Sequence, residues 1–270
     1  MKKCERITSD GSCLYLDMRA TSHRIIRAVA IVGPLLFFTI ATVEGFLRPG
    51  YDPIAQPISA LAIGDRGWIQ GINFLIFTSS LLAFAALLRA EFRDGFASHL
   101  APSAFFVMAI GVAFAGLFPM DAPGVVATRS GAIHGVAGFF VFPVIPLAVV
   151  LMSLRFRREA HWRPYFGISL VIGLLNLATI ICFLTLVGPP GTARPYSHLM
   201  GLVQRIDLVP FLVWIALIAH RSAWRSIALD ETRCPTCASI GSATVNVEPV
   251  PRSVVTETDP PCASTRWRVM

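Results

Sequence analysis

The chain has 270 residues, of which 54% are hydrophobic and only 14% charged, with a mean hydropathy of +0.64. Soluble domains carry about 25% charged residues, so this composition excludes a water-soluble globular protein and places the chain in lipid. The net charge of +7 gathers in the termini and a few short connections; that is a topology signal with attraction to anionic lipid, not a nucleic-acid-binding surface.

Six apolar runs follow one another: about Ile25 to Phe46, Trp68 to Leu88, Leu100 to Phe118, Ile133 to Leu154, Tyr165 to Val187, and Leu199 to Ala219. Each is close to the ~20 residues that cross ~30 Å of hydrocarbon at 1.5 Å per residue. Within lipid a backbone must satisfy its own hydrogen bonds, and these runs are helix-length without period-2 alternation. The predicted fold is therefore all-α, a polytopic membrane protein built as a six-transmembrane-helix bundle.

The first run is too long for a signal-peptide core, carries Glu44 near its far end and has no small-residue cleavage site after it. Before it, Met18 followed by Arg19 makes a natural basic start of its own, which sets residues 1–17 apart. Residues 1–23 read as a cytoplasmic N-terminal segment, 24–222 as the membrane domain, and 223–270 as a disordered cytoplasmic tail rich in Pro, Ser, Thr and Val.

Orientation follows from Lys and Arg. One side holds Lys2, Lys3, Arg6, Arg19, Arg24 and Arg27, then Arg89 and Arg93, then Arg155, Arg157, Arg158 and Arg163, and finally Arg221 and Arg225. The other holds Arg48, Arg66, Arg129 and Arg194. By the positive-inside rule both termini are cytoplasmic. The connections at 51–68, 119–132 and 188–198 then face outward, and they are the elaborate ones, where function usually sits.

Polar residues gather near that outer surface. Asp52, Gln56 and Ser59 come from the first outer connection, Asp121 and His134 from the second, and His198, Gln204, Arg205 and Asp207 from the third and the sixth run, with Glu44 one turn inside the first. All fall at one membrane depth. Asp52, Ser59, Asp121, His134, Gln204 and Arg205 form the candidate binding set.

Arg205 and Asp207 weigh most, because charges inside a span are costly and turn toward the bundle interior with a partner. Two residues apart on a helix, they lie about 200° from each other and do not pair. For Arg205 the candidate partners are Glu44, Asp52 and Asp121; for Asp207 they are His134, His198 or a backbone donor. Gly201, Gln204, Arg205 and Leu208 share one face. Arg205 reads equally as a structural tie holding the first outer connection. Asn73 and Asn176, alone on apolar helices, read as interhelical hydrogen-bonders, and His134 as an interfacial histidine before a metal ligand.

Gly67-xxx-Gly71 and Gly131-xxx-Gly135 are spaced for close helix approach, and Pro143, Pro146 and Pro210 for kinks that open a cavity. The lone C-x-x-C of RCPTC is half a zinc pattern without its other half. No cofactor and no metal centre is implied.

The stretches YDPIAQPISALAIGDRGWIQGINF, FPMD followed by His134, and HLMGLVQRIDLVPFLVW resemble the signature segments of the family catalogued as domain of unknown function 998, uncharacterised multi-helix integral membrane proteins, mostly prokaryotic. The resemblance covers residues from about 24 to 222. It implies a multi-pass protein of a cell membrane, the plasma membrane of a prokaryote, and carries the family pattern onto Asp52, Pro53, Ser59, Asp121, His134, Gly201, Gln204 and Arg205. It supplies no activity.

The expected function is a binding one. The outer cluster would hold an anionic lipid headgroup or a small polar ligand, with Arg205 as charge partner, in lipid handling, sensing or transport. Membrane lipids are the expected partners, and a six-span carrier would work as a homodimer. The alternative is a membrane-embedded metal-dependent hydrolase acting on lipid or amide bonds, with Ser59, Asp121, His134 and His198 at its centre.

Overall fold

The structure, a computed structural model, describes residues 14–92, 94–95, 97–188 and 195–233. Residues 1–13 and 234–270, with most of the expected tail and the C-x-x-C pair, lie outside the described residues. Six helices dominate: α1 Leu14–Leu47, α2 Gly67–Glu91, α3 Ala97–Leu117, α4 Arg129–Arg158, α5 Phe166–Cys182 and α6 Met200–Arg233. No strand occurs among the described residues. All six helices are long and apolar enough to cross a membrane, so the chain is a multi-pass, all-α membrane protein.

Each helix packs against its predecessor through α5. Small residues set the spacing at the seams. A Cβ on Gly116 of α3 would lie 2.8 Å from the Cβ of Phe74 and 3.1 Å from the carbonyl of Gly71, both on α2, so those backbones meet as close-packed membrane helices do.

α6 closes the bundle through Trp214, whose ring packs on Phe84 of α2 and Phe105 of α3 with centroids 5.7 and 6.1 Å away. Its indole N–H donates to the Ser169 hydroxyl of α5 at 2.8 Å. Trp214 is fully buried, so the N–H requires that partner. Asn73 makes the corresponding link between α2 and α1, donating to the Phe37 carbonyl at 2.9 Å. Half of the most apolar window of α2 and of α6 is buried, against 22% for α5. α2 and α6 are thus central, and α5 shows Val171, Leu174 and Ile181 outward as lipid-facing side chains.

α5 does not end cleanly. Phe183–Val187 widen into a π-helical turn that stops at Gly188, whose φ of 66° lies in the left-handed region. Across from it, α4 carries Pro143 and Pro146 in its interior. Between these two irregular stretches and the start of α6 the bundle leaves a cavity.

The glycine expectations divide. Gly71 serves helix approach, whereas a Cβ on Gly67 would strike the Ala62 carbonyl of the preceding connection and one on Gly131 would strike the Asp121 carboxylate. A Cβ on Gly135 would meet nothing within 4 Å. Gly131-xxx-Gly135 is therefore no helix-packing motif here: one glycine makes room for a connection and the other opens onto the cavity.

Candidate functional site

The connection between α1 and α2 is a folded cap. Asp52 accepts from the Ile54 N–H at 2.8 Å and its carbonyl accepts from the Gln56 N–H at 2.7 Å, closing a tight turn of the kind Asp favours. Tyr51 donates its hydroxyl to the carbonyls of Pro57 and Gln56 at 3.0 and 3.2 Å. Burial raises the Tyr51 phenol above its usual range, with the Arg205 contact opposing, so Arg205 meets a neutral hydroxyl. Glu44, 4% exposed, takes a fork from Arg66 at 2.9 and 2.7 Å and a longer contact from Arg48 at 3.4 Å. Arg48 reaches the Ile63 carbonyl at 2.9 Å, pinning the far end of the cap.

The cap seats on the start of α6. The Leu202 N–H donates to the Ile54 carbonyl at 2.9 Å and the Gln204 side-chain oxygen accepts from the Ile58 N–H at 2.6 Å. A helix start leaves orphan N–H groups, and a carbonyl of the cap supplies one of them. Arg205 donates to the Pro53 carbonyl at 2.6 Å, the Gln56 carbonyl at 3.2 Å, the Gly201 carbonyl at 3.0 Å and the Tyr51 hydroxyl at 2.8 Å. Any side chain at Gly201 would occupy the space of the Pro53 and Gln56 carbonyls. The expected carboxylate partners of Arg205 are therefore corrected: Glu44 is taken by Arg66 and Arg48, Asp121 by Thr128 and Asp52 by its own turn. The guanidinium fork instead collects oxygens of the cap, which its planar donor array suits.

The connection between α3 and α4 is tied by Asp121. Its carboxylate accepts from the Thr128 hydroxyl at 2.7 Å and the Thr128 N–H at 2.9 Å, and the same hydroxyl accepts from the Gly131 N–H to cap α4. These two bonds, the hydroxyl first, hold the Asp121 carboxyl below the usual carboxylate range. His134 hydrogen-bonds through Nδ1 to the carbonyls of Phe118 and Ala115 at 2.9 and 3.2 Å. Carbonyls only accept, so Nδ1 carries the proton, and Nε2 has no partner among the described residues.

The cavity between α4, α5 and α6 has a volume of about 570 Å³. Its walls are mostly apolar, with Phe139, Phe142, Pro143, Ile180, Phe183 and Val203 prominent. Polar groups enter from Ser59, Asp121, His134, Thr179, Gln204 and Asp207. The Ser59 hydroxyl donates to the Met120 sulfur at 3.3 Å. Since the Gln204 oxygen is engaged by the cap, its amide NH2 is the end without a partner among the described residues.

Of the candidate binding set, Ser59, Asp121, His134 and Gln204 line this cavity, while Asp52 and Arg205 do not. Asp207 completes the lining from within α6. Its Oδ1 accepts from the Thr179 hydroxyl at 2.6 Å and the Asn176 amide at 2.9 Å, both on α5. This corrects the expectation of His134, His198 or a backbone donor. Asn176 is an interhelical hydrogen-bonder, donating also to the Asp207 carbonyl at 2.7 Å. Thr179 carried no signal in the sequence, because a threonine in an apolar run more commonly bonds its own helix. His198 is exposed beside Tyr196. No group of three or more His, Cys, Asp or Glu is placed to hold a metal ion among the described residues.

The model of the family described as "Protein of unknown function (DUF998)" matches residues 31–221, all but the ends of the membrane domain. The chain belongs to this family. Comparison with curated proteins and with solved structures returns no match. The matched segment of this DUF998 protein contains the cap, the α3–α4 connection and the cavity.

Proposed function

We propose that this DUF998 protein binds a lipid headgroup or a small polar solute in the cavity between α4, α5 and α6, as part of lipid handling, sensing or transport. The observation that carries the reading is the cavity itself. Ligand sites typically measure about 300–1,000 Å³, with apolar walls and a few convergent polar groups. Here about 570 Å³ of largely apolar space meets side chains from the first connection, the second connection, α5 and α6.

The arrangement suits an amphiphile, with an apolar portion against Phe139, Phe142 and Phe183 and a polar end at Gln204, His134 and Asp207. Arg205 has the role of a tie, fastening the cap that supplies Ser59 and fixes the Gln204 amide. The cation distribution favours a cell membrane with both termini cytoplasmic and the cavity toward the outer side, in keeping with a prokaryotic plasma membrane.

Native mass spectrometry of protein purified in nanodiscs of its host's total lipid tests this reading. Wild type is expected to retain a stoichiometric small-molecule or lipid adduct. Gly135→Leu, which fills open cavity space without meeting any neighbouring atom at its Cβ, is expected to lose it. Equal adducts on both proteins, or none on either, would overturn the proposal.

A further inference from the structure

The cavity is open on one side, and the opening lies in a wall that faces lipid. α4 and α5 touch closely around Val150 and Gly173, where a Cβ on Gly173 would lie 2.7 Å from the Val150 Cγ2. Toward the start of α4 the two helices part: a Cβ on Gly135 would meet nothing within 4 Å, and one on Gly138 would meet only the ring of Phe142, one turn along its own helix. Phe139 of α4 and Leu184 of the π-helical turn both line the cavity, yet they are 69% and 56% exposed. They lie within the apolar spans Arg129–Arg158 and Arg163–Val187. A large apolar side chain exposed within a span has lipid around it. The same two residues therefore border the cavity and the bilayer, and a molecule dissolved in the bilayer can enter between them.

The polar end of the cavity selects what such a molecule carries. Its described lining has no Lys or Arg, and its two carboxylates are engaged. Asp121 accepts twice from Thr128, and Asp207 holds Thr179 and Asn176 on Oδ1 while its Oδ2 is sealed. Two polar groups are left: the Gln204 amide NH2, a donor, and the His134 Nε2, an acceptor because Nδ1 carries the proton. Neither atom has a partner among the described residues, and neither is sealed. A phosphate or carboxylate seated here would meet no cation and would be left as an unpaired charge. A hydroxyl accepts from Gln204 and donates to His134 without bringing any charge.

We infer that the ligand is a membrane lipid with an uncharged, hydroxyl-bearing headgroup, admitted sideways between α4 and the end of α5, with its chains along Phe139 and Leu184 and its hydroxyls on Gln204 and His134. The inference rests on the proposed binding function and narrows it to one class of ligand. It replaces the anionic headgroup expected from Arg205, whose fork is occupied by the cap. A free polyol presents the same hydroxyls and is separated by experiment.

The test places purified protein in phosphatidylcholine nanodiscs with a diacylglycerol that carries a photoreactive diazirine on one acyl chain, and reads the labelled peptides by mass spectrometry. Label is expected within residues 135–143 and 180–187. Excess unlabelled diacylglycerol should reduce it at least about tenfold, whereas phosphatidylglycerol of the same chains and free glycerol should leave it within about twofold. Gln204→Glu, which keeps an oxygen for the Ile58 N–H and loses the NH2 donor, and His134→Phe should each lower the label at least about fivefold. Should neither variant fold, the wild-type competition decides alone. Displacement by free glycerol would overturn the assignment to a lipid, and equal displacement by phosphatidylglycerol would overturn the uncharged headgroup. Label that diacylglycerol does not displace, label spread evenly over the lipid-facing helices, or undiminished label in either variant that folds would overturn the inference as a whole. Native mass spectra of wild type and Gly135→Leu keep this inference apart from the binding function. An adduct that Gly135→Leu loses leaves that function standing whatever the label shows, and an adduct that Gly135→Leu retains would sink both.

Discussion

Replacing Arg205 by Met removes the fork that fastens the cap while keeping much of the apolar stem. Four oxygens lose a donor, at 2.6 to 3.2 Å. They do not count equally. Pro53 is exposed and its carbonyl regains water, Gln56 keeps the Tyr51 hydroxyl at 3.2 Å, and the Gly201 carbonyl is still within its helix. With one hydrogen bond to a charged group contributing about 1.5–3 kcal/mol, the docking of the cap is expected to weaken by about 2–4 kcal/mol, well short of the sum of four bonds. At 1.4 kcal/mol per decade, amides of residues 54–62 should exchange about 30- to 700-fold faster by local opening. Hydrogen-exchange mass spectrometry in nanodiscs reads this directly, with peptides from α3 as an internal reference. Cap amides exchanging within twofold of wild type would refute the tie, and equal acceleration throughout the bundle would show that Arg205 supports the whole fold.

Three further outcomes are expected. Gly116→Val, whose Cβ would lie 2.8 Å from the Phe74 Cβ, should cost about 1–3 kcal/mol by overpacking the α2–α3 seam, measured by equilibrium unfolding in mixed micelles; no loss would mean that the seam is loose. Asp121 has a carboxyl lowered by its Thr128 bonds, so its stabilisation is complete above the unfolded value of about 3.9 and is lost as pH falls through the lower folded value. Pepsin cleavage within residues 118–128 should therefore rise between pH 4.5 and pH 2.5 relative to Asp121→Asn, and a ratio independent of pH would contradict the anchoring role. Thr179→Val conserves volume and removes the 2.6 Å bond to Asp207; with interhelical hydrogen bonds in membranes averaging about 0.6 kcal/mol, the loss should be about 0.5–1.5 kcal/mol, and unfolding data showing more than about 3 kcal/mol would mean that Thr179 does more than hold this carboxylate.

The six helices were legible without coordinates because lipid imposes one requirement on every residue of a span: the backbone must bond itself and the side chains must be apolar. That is a local property, summed over about 20 residues. It fixed the spans, the all-α class and the uneven distribution of cations. The stretches that carry the family likeness were equally visible, as was the face that Gly201 shares with Gln204 and Arg205 on α6.

Which polar groups meet was not legible, because pairing depends on rotation of each helix about its axis and on the path of the connections. Arg205 carried a full charge and pointed, on charge alone, to a carboxylate. The folded cap instead offered it two carbonyls and a tyrosine hydroxyl, beside the Gly201 carbonyl of its own helix, since Glu44 is held by Arg66. Asp207 lay within one span, yet its partners Asn176 and Thr179 lie about 30 residues earlier on the most lipid-facing helix. The sequence determined that this chain carries six helices long and apolar enough to cross a membrane, with polar residues in and beside the connections between them. Only the tertiary structure decided that the arginine fastens the cap through its backbone oxygens while the aspartate bonds Asn176 and Thr179 at the wall of the cavity.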